Sequence, residues 1–207
     1  WFKRKLEKSK IPIAIKKKYI NYLYKNNKYD KYRLPNDFYD LIATYKTLLV
    51  ITQTMKSEDI LRAGLFIIKK LSIKNDILDL GCNIGYLTSF YSKVLPNTNI
   101  IGLDISEKSI ARANKLYIKK QYPNLSFTNN YISLKDKTFD YIIDTQCLCT
   151  LNKNQLSNAL DYVNNTLKIN GELVSISNLP NEKKAKKFLE MLFERNLYLH
   201  DLQPIII

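Results

Sequence analysis

Residues 76–87 read DILDLGCNIGYL, an apolar run that ends in a glycine-containing turn and then resumes at helical spacing. A short apolar run of this kind is typical of a strand buried in a parallel sheet. Gly81 and Gly85 bracket the turn, because a residue without a Cβ takes a positive φ readily or lets the backbone pass close to a ligand. The stretch therefore predicts a strand, a tight turn and a helix N-terminus, whose amides favour an anionic group.

The residues in this turn indicate which kind of nucleotide would bind. A dinucleotide fingerprint requires Gly-x-Gly-x-x-Gly, but Asn83 and Tyr86 stand at the second and third glycine positions. Asp79, beside the turn, would repel a phosphate and is able to hold an ammonium group. A ligand with an amino-acid end and a nucleoside end satisfies both features.

A second apolar run, NIIGLD at residues 99–104, ends in the acid Asp104. Asp79 and Asp104 are separated by about one strand-helix-strand unit. An acid at the end of the second strand accepts hydrogen bonds from both ribose hydroxyls of a nucleoside. The two acids at this spacing form a stronger signal than either alone.

Residues 79–85, DLGCNIG, resemble motif I of the class I S-adenosylmethionine-dependent methyltransferases, Asp-x-Gly-x-Gly-x-Gly, with Asn83 in place of the middle glycine. Asn tolerates the left-handed backbone better than other residues with a side chain. Asp104 matches the acid of the second family motif. The resemblance covers residues 60–207 and implies an α/β fold, a doubly wound, mostly parallel sheet with S-adenosylmethionine across the ends of the first two strands.

The resemblance also implies the members of a cofactor site. Asn130 stands where the family has an Asp that binds the adenine amino group, and its carbonyl oxygen is able to accept the same bond; a polar turn without a ligand is the alternative. Tyr131 is placed to stack on the base, and the exit of the fourth strand faces the methyl group. The predicted cofactor-binding residues are Asp79, Gly81, Cys82, Asn83, Gly85, Tyr86, Asp104, Ile105, Asn130, Tyr131, Asp144 and Thr145.

Composition limits the other classes of site. The 207 residues include three cysteines and one histidine, without zinc-ligand spacing, so no metal site is predicted. No apolar run approaches the ~20 residues of a membrane span. A small, odd number of cysteines suits a reducing compartment, and we expect a cytoplasmic location.

Residues 1–56 are predicted to form an N-terminal helical extension, and residues 57–207 the S-adenosylmethionine-binding domain. Lys16, Lys17 and Lys18 precede a tyrosine-rich stretch, a pattern that favours a solvated basic helix. Contact with RNA or with the surface of an acidic membrane leaflet is the alternative. We expect the extension to cap the methyl-donor end of the site.

The formal net charge is +14, but only five of the 33 basic residues are arginine. A lysine-rich surface of this kind is expected from composition alone, so the charge does not by itself predict a nucleic-acid partner.

The stretch after the predicted fourth strand bears on the methyl acceptor. It lacks the Asn/Asp-Pro-Pro-aromatic motif of enzymes that methylate adenine in nucleic acids, and Cys147 has neither an adjacent Pro nor a basic neighbour to activate it. The resemblance implies in-line methyl transfer to an O, N or S nucleophile, and we expect a small metabolite or a lipid- or glycan-linked group. An RNA or protein methyltransferase, or a non-catalytic binding subunit, remains the alternative.

Overall fold

The computed structural model describes residues 8–24, 36–45, 62–71, 76–177, 179 and 181–198. Five strands are present in these ranges: β1 (Asp76–Leu80), β2 (Asn99–Leu103), β3 (Leu125–Thr128), β4 (Phe139–Thr145) and β5 (Leu167–Ile176). The helices are α1 (Ile13–Tyr24), α2 (Asn36–Thr44), α3 (62–70), α4 (Tyr86–Val94), α5 (Glu107–Leu116), α6 (Lys153–Thr166) and α7 (Glu182–Phe193). Single 3-10 turns follow β3 (Tyr131–Leu134) and β4 (Leu148–Thr150).

The five strands form one sheet in the order β3-β2-β1-β4-β5, and every neighbouring pair is parallel. The chain moves outward from β1 to β3 and then returns to the other side of β1 for β4. Ligands of such sheets bind at the carboxyl ends of the strands, where the direction of winding reverses. The predicted doubly wound α/β fold is confirmed, and the reversal between β1 and β4 places the candidate site.

The apolar run of β1 is explained by burial on both faces. On one face Ile77 packs with Tyr91 of α4 and Ile67 of α3, and on the other Leu78 packs with Val163 of α6. Ile77 and Leu78 are 1% and 0% exposed. The central strand is therefore a fixed base for the turn that follows it.

Asn170 and Gly171 predict a turn before the fifth strand, but the amino end of β5 departs from this prediction. α6 passes directly into β5, where Phe139 pairs with Leu167 but Tyr141 pairs with Glu172, so extra residues form a bulge. Asn170 takes a φ of 64° in this bulge. The Asn-Gly pair thus interrupts a strand that has already begun, since pairing with β4 extends the strand in the amino-terminal direction.

In the N-terminal extension, α2 packs against α5, and its Ala43 contacts Ile84 of the turn after β1. No helix in the described part of the chain has the length and apolar character needed to cross a bilayer. Residues 57–59, Ser-Glu-Asp, predict a helix start, and residues 198–200 predict the beginning of a sixth strand. Residues 57–59, the predicted boundary between residues 56 and 57, and residues 199–200 lie outside the described residues, and Tyr198 is not in a strand.

Candidate functional site

The turn after β1 is held in a left-handed conformation at three positions. Gly81, Asn83 and Gly85 have φ values of 76°, 53° and 78°. The amides of Gly81 and Cys82 both donate to the carbonyl of Leu103, at 2.8 and 3.1 Å, which ties the turn to the end of β2. Asn83 therefore replaces a motif glycine at a position where Asn is the best-tolerated alternative.

Both glycines are required by packing as well as by backbone conformation. A Cβ on Gly85 would lie 2.4 Å from the ring of Phe127, and a Cβ on Gly81 would lie 2.5 Å from the Cys147 sulfur. Gly102 of β2 faces the same Phe127 ring, at 2.5 Å from its missing Cβ. The glycines thus leave room for protein side chains, a different reason from the predicted close approach of a ligand.

The N-terminus of α4 faces the same edge of the sheet. The first helical hydrogen bond runs from Ser89 N to Gly85 O at 2.9 Å, so the amides of Tyr86, Leu87 and Thr88 have no acceptor within the helix. The first turn of α4 contains no acidic residue, and no side chain among the described residues caps it. Such an N-terminus suits a ligand carboxylate, and Tyr86 is 46% exposed there.

Asp104 is fixed between two loops. Its Oδ2 accepts from the amide of Asn83, and its Oδ1 accepts from the amide of Ser106, each at 2.8 Å. Burial raises the pKa of Asp104, while these two amides act in the opposite direction. Each oxygen retains a second acceptor position, so the carboxylate suits the two hydroxyls of a ribose. Ile105, which follows it, is largely exposed and offers an apolar surface for a base.

Asp79 lies beneath the turn and not beside it. Its side chain is buried, and its Oδ2 accepts from Thr88 Oγ1 at 2.7 Å. Burial raises the pKa of Asp79 to about 7, the Thr88 bond lowers it, and the charges of Asp144 and Asp104 raise it further. The predicted contact with a ligand ammonium group remains a prediction for this residue.

Asp144, at the end of β4, is fully buried and shapes the following loop. Its Oδ1 accepts from the amides of Cys147 and Leu148 at 2.8 and 3.0 Å, and its Oδ2 accepts from Ser175 and Ser177 hydroxyls at 2.6 and 3.2 Å. Burial raises its pKa. These four donors use the acceptor capacity of Asp144 in shaping the loop, and its predicted contact with the cofactor remains a prediction. Thr145, the other residue predicted there, is partly buried at the last position of β4.

The loop after β4 lies against the turn after β1. Cys147 packs on Gly81, and burial, followed by the charges of Asp144 and Asp104, raises the pKa of its thiol well above the usual value. The pKa of the Cys82 thiol is also raised well above the usual value, chiefly by burial. Neither thiol is a thiolate near neutral pH, and only the thiolate is an effective nucleophile.

Asn130 caps the 3-10 turn that follows β3. Its Oδ1 accepts from the amides of Ile132 and Ser133 at 3.0 and 3.3 Å. The oxygen that was predicted to accept from adenine is therefore already engaged by two backbone donors. Tyr131 is 58% exposed, with its ring centroid 6.3 Å from that of Tyr162.

Hydrogen bonds also join the end of β2 to the end of β3. Asp104 N donates to Thr128 O at 3.2 Å, and Asn130 N donates to Thr128 Oγ1 at 3.1 Å. The predicted residues after β1, β2 and β3 thus share one edge of the sheet, whereas Asp79 and Asp144 are buried below it. In the part of the chain that the structure describes, no three His, Cys, Asp or Glu side chains are grouped as metal ligands would be.

Several residues at this edge were not predicted. Ser106 caps α5 by accepting from Ser109 N, and its hydroxyl donates to Asp40 of α2. Gln146, directly after β4, has a φ of 65°. A serine before Glu107 is a recognisable helix cap, but its second partner is 66 residues away in the sequence, and no local pattern indicates the backbone conformation of Gln146.

Comparison with known proteins agrees with this geometry. A family model described as a methyltransferase domain matches residues 72–201. A curated relative, "Putative methyltransferase 235L" of Invertebrate iridescent virus 6, is 24% identical over 148 residues, which are 65% of this chain and 53% of the viral protein. The chain therefore spans about half the length of the curated relative it matches.

Solved structures share the fold at low sequence identity. The DhpI-SAM-HEP complex has a TM-score of 0.56 at 18% identity, over 73% of this chain and 67% of that one. The [4+2]-cyclase SpnF has a TM-score of 0.55 at 18% identity, over 65% of this chain and 55% of that one.

The family match covers more than half of the chain and includes the turn after β1, Asp104 and the whole five-stranded sheet. The residues at the sheet edge also fit the carboxylate and ribose of the family's cofactor, S-adenosylmethionine. The chain therefore belongs to the methyltransferase domain family, and its residues 72–201 form a class I S-adenosylmethionine-dependent methyltransferase domain.

Proposed function

We propose that the protein transfers a methyl group from S-adenosylmethionine to an O, N or S nucleophile of a small metabolite or of a lipid- or glycan-linked group. The observation that carries the proposal is Asp104, a carboxylate fixed by two backbone amides beside the N-terminus of α4. One site then offers partners for the ribose diol and for the amino-acid carboxylate of the same ligand.

Different residues at the carboxyl edge of the sheet bind different groups of the cofactor. Asp104 accepts from the ribose hydroxyls, and the first-turn amides of α4 donate to the carboxylate. The exposed side chains of Ile105 and Tyr131 supply apolar contact for the adenine. Bound S-adenosylmethionine supplies a methyl group on a sulfonium, which is an excellent leaving group.

The chemistry asked of the chain is mainly positioning. Holding an acceptor in line with a reactive methyl group supplies several kcal/mol of the barrier lowering, on the order of 7–11 in well-oriented systems. The raised pKa values of the Cys82 and Cys147 thiols argue against a covalent cysteine intermediate. Direct displacement by the acceptor itself is consistent with this site.

The loop after β4 supports a small acceptor. Its sequence TQCLCT at residues 145–150 contains no proline, and Asp144 draws it into a tight 3-10 turn against Gly81. A polymer acceptor is the second candidate, because α1 exposes Lys17 and Lys18 near the N-terminus of the described chain. A polymer would use these lysines for docking.

The cofactor half of the proposal is tested by calorimetry on the 207-residue chain. We expect S-adenosylmethionine and S-adenosylhomocysteine to bind, and Asp104→Ala to weaken both by ten- to a hundredfold, since hydrogen bonds to a charged group contribute about 1.5–3 kcal/mol. Asp76→Asn is the matched control, because Asp76 opens β1 at the opposite edge of the sheet and pairs with Lys168. Equal losses in both variants, or none in Asp104→Ala, would contradict this assignment.

The acceptor half is tested by release of S-adenosylhomocysteine in the presence of panels of amines, phenols, thiols, lipid headgroup analogues and mixed RNA. Turnover with a small acceptor supports the proposal. Turnover with RNA alone replaces the small acceptor with a polymer acceptor. Cofactor binding without turnover on any panel supports a non-catalytic binding subunit.

A further inference from the structure

Helix α2 of the N-terminal extension is anchored on the cofactor edge by three contacts. The hydroxyl of Ser106 donates to Asp40, Arg112 Nη1 of α5 donates to the carbonyl of Ala43 at 2.7 Å, and Ala43 packs on Ile84. Ser106 follows the predicted ribose ligand by two residues, and Ile84 belongs to the turn after β1. The helix therefore contacts both loops that would surround the cofactor.

The arrangement has a clear physical basis. Ala43 is the next-to-last residue of α2, so its carbonyl has no acceptor role within the helix, and the guanidinium of Arg112 caps it at the negative end of the helix dipole. Leu41 and Ile42, next to it, are buried, at 8% and 2% exposure. Apolar burial holds the helix in place, and the two polar contacts fix its orientation.

A continuous chain of hydrogen bonds connects this helix with the ribose carboxylate. Asp40 accepts from Ser106 Oγ, Ser106 Oγ accepts from Ser109 N at 3.1 Å, and Ser106 N donates to Asp104 Oδ1 at 2.8 Å. Asn83 N holds the other oxygen of Asp104. Asp40 and Ser109 hold the Ser106 side chain, and this fixes the position of the Ser106 amide. Because that amide donates to Asp104, it also sets the plane of the Asp104 carboxylate.

We propose that Asp40 is a positioning residue for cofactor binding, which acts through Ser106 to orient Asp104 towards the ribose. The inference rests on the proposed function, because it assigns α2 to the same cofactor site. Asp40 is connected with Asp104 only through Ser106, so it acts on the ribose ligand indirectly. The carboxylate oxygen of Asp40 positions Ser106 by accepting its hydrogen bond. The negative charge of Asp40 has the opposite effect on cofactor binding, because it contributes to the raised pKa of Asp104.

Because the hydrogen-bond acceptor and the charge of Asp40 have different effects, we expect two substitutions of Asp40 to change cofactor affinity differently. Asp40→Ala removes the acceptor, and we expect S-adenosylhomocysteine to bind about tenfold more weakly. Asp40→Asn keeps a carbonyl oxygen for Ser106 and removes the charge, so affinity should equal or exceed that of the wild type. Alanine has the highest helix propensity, and asparagine has nearly the same propensity as aspartate, so both variants should retain α2.

The experiment is calorimetric titration of S-adenosylhomocysteine into the full chain, with thermal unfolding of every variant alongside. Thr44→Ala is the matched control, because Thr44 lies on the same helix and its hydroxyl donates only to the Asp40 backbone carbonyl; its affinity should not change. On a Ser106→Ala background, Asp40→Ala should weaken binding no further, because the connection is already broken. Ser106→Thr, which keeps the hydroxyl, should bind nearly as the wild type does.

Each result either supports or overturns the inference. A lower unfolding temperature with unchanged affinity in Asp40→Ala means that α2 is only a packing element. Equal losses in Asp40→Ala and Asp40→Asn, additive losses in the double variant, or equal affinities of Ser106→Ala and Ser106→Thr overturn it as well. Such results leave the proposed function intact, whereas a wild-type chain that binds neither S-adenosylmethionine nor S-adenosylhomocysteine overturns both.

Discussion

At the scale of single residues, the raised pKa of Asp79 is a direct consequence of where β1 ends. The carboxyl group is buried under the turn, with one hydroxyl donor, Thr88, and with the charges of Asp104 and Asp144 near enough to raise its pKa. A buried carboxyl with one donor and acidic neighbours favours the neutral form. Its pKa of about 7, against an ordinary value of 3.8, couples folding to pH.

We expect the free energy of unfolding to fall as pH rises towards 7. Because the folded-state pKa lies above the unfolded one, the folded chain holds a proton that the unfolded chain has released, so the stabilising contribution is complete below about pH 4 and is lost as pH rises through about 7. The slope for one such group is about 1 kcal/mol per pH unit. Urea unfolding at intervals from pH 5 to 8 measures it.

Asp79→Asn tests the assignment, because asparagine imitates the neutral acid and still accepts from Thr88. In this variant the free energy of unfolding should depend less steeply on pH. Part of the dependence should remain, because burial also raises the pKa values of Asp104 and Asp144. Asp136→Asn, at an exposed position, serves as the control. An unchanged slope in Asp79→Asn would show that another group binds the proton.

Residue types and spacing predicted the place of Asp104 after β2 and the positive φ of the two turn glycines, because both depend on the local chain. The left-handed turn and the acid after the second strand are properties of a few consecutive residues. The hydrogen-bond partners of Asn130 and Asp144 were not predictable in this way. The sequence does not show whether a side-chain oxygen accepts from a ligand or from a nearby backbone amide. Asp40 and Ser106 meet only through the packing of α2.

At the scale of elements, the loop after β4 is strained at one residue. Gln146 has a φ of 65°, while its amide donates to Ile176 O at 2.8 Å and Asp144 fixes the next two amides. A residue with a side chain pays about 1–2 kcal/mol in the left-handed region. The hydrogen bonds of Asp144 offset this strain and keep the loop against the turn after β1.

Gln146→Gly should raise the free energy of unfolding by roughly 0.5–1 kcal/mol, since glycine relieves the strain but loses more backbone entropy on folding. Asn170→Gly is the matched control, because Asn170 has nearly the same φ of 64° in the bulge of β5 and asparagine tolerates it better. The free energy of unfolding should therefore increase less in Asn170→Gly than in Gln146→Gly. Chemical denaturation of both variants checks the order, and a destabilised Gln146→Gly would contradict it.

The elements themselves were largely predictable. The apolar runs at residues 77–80 and 99–103 predict β1 and β2, and the helical spacing after Gly85 predicts α4, because these patterns reflect burial in a parallel sheet. The early start of β5 at Leu167 was not predictable, because an Asn-Gly pair is normally a turn signal, and only pairing with Phe139 extends the strand through it.

At the scale of the whole molecule, the positive net charge is large and comes mostly from lysine. Only five of the 33 basic residues are arginine, the side chain best suited to bidentate phosphate contacts. Of the described arginines, Arg112 caps α2 and Arg195 binds Asp161 and Ser157. At least two of the three arginines in the described ranges (Arg62, Arg112 and Arg195) are therefore engaged by the fold.

We expect mixed RNA to bind weakly and without structural preference, with affinity lost near physiological ionic strength. Each neutralised phosphate contributes about 0.7 to 0.9 to the slope of log K against log salt. Fluorescence anisotropy across a salt series measures this slope, with Lys17→Glu/Lys18→Glu as the charge-reversed comparison. Tight, structure-selective binding at physiological salt, abolished by that variant, would favour a polymer acceptor.

The ring of Phe127 lies where Gly85 and Gly102 lack their Cβ atoms, so one aromatic side chain fills the volume of two absent methyl groups. The three positions therefore form one packing unit, in which a side chain at either glycine requires a smaller residue at position 127. Even then the φ of 78° at Gly85 opposes a side chain, and at Gly102 the Cys82 sulfur lies 2.8 Å from the missing Cβ.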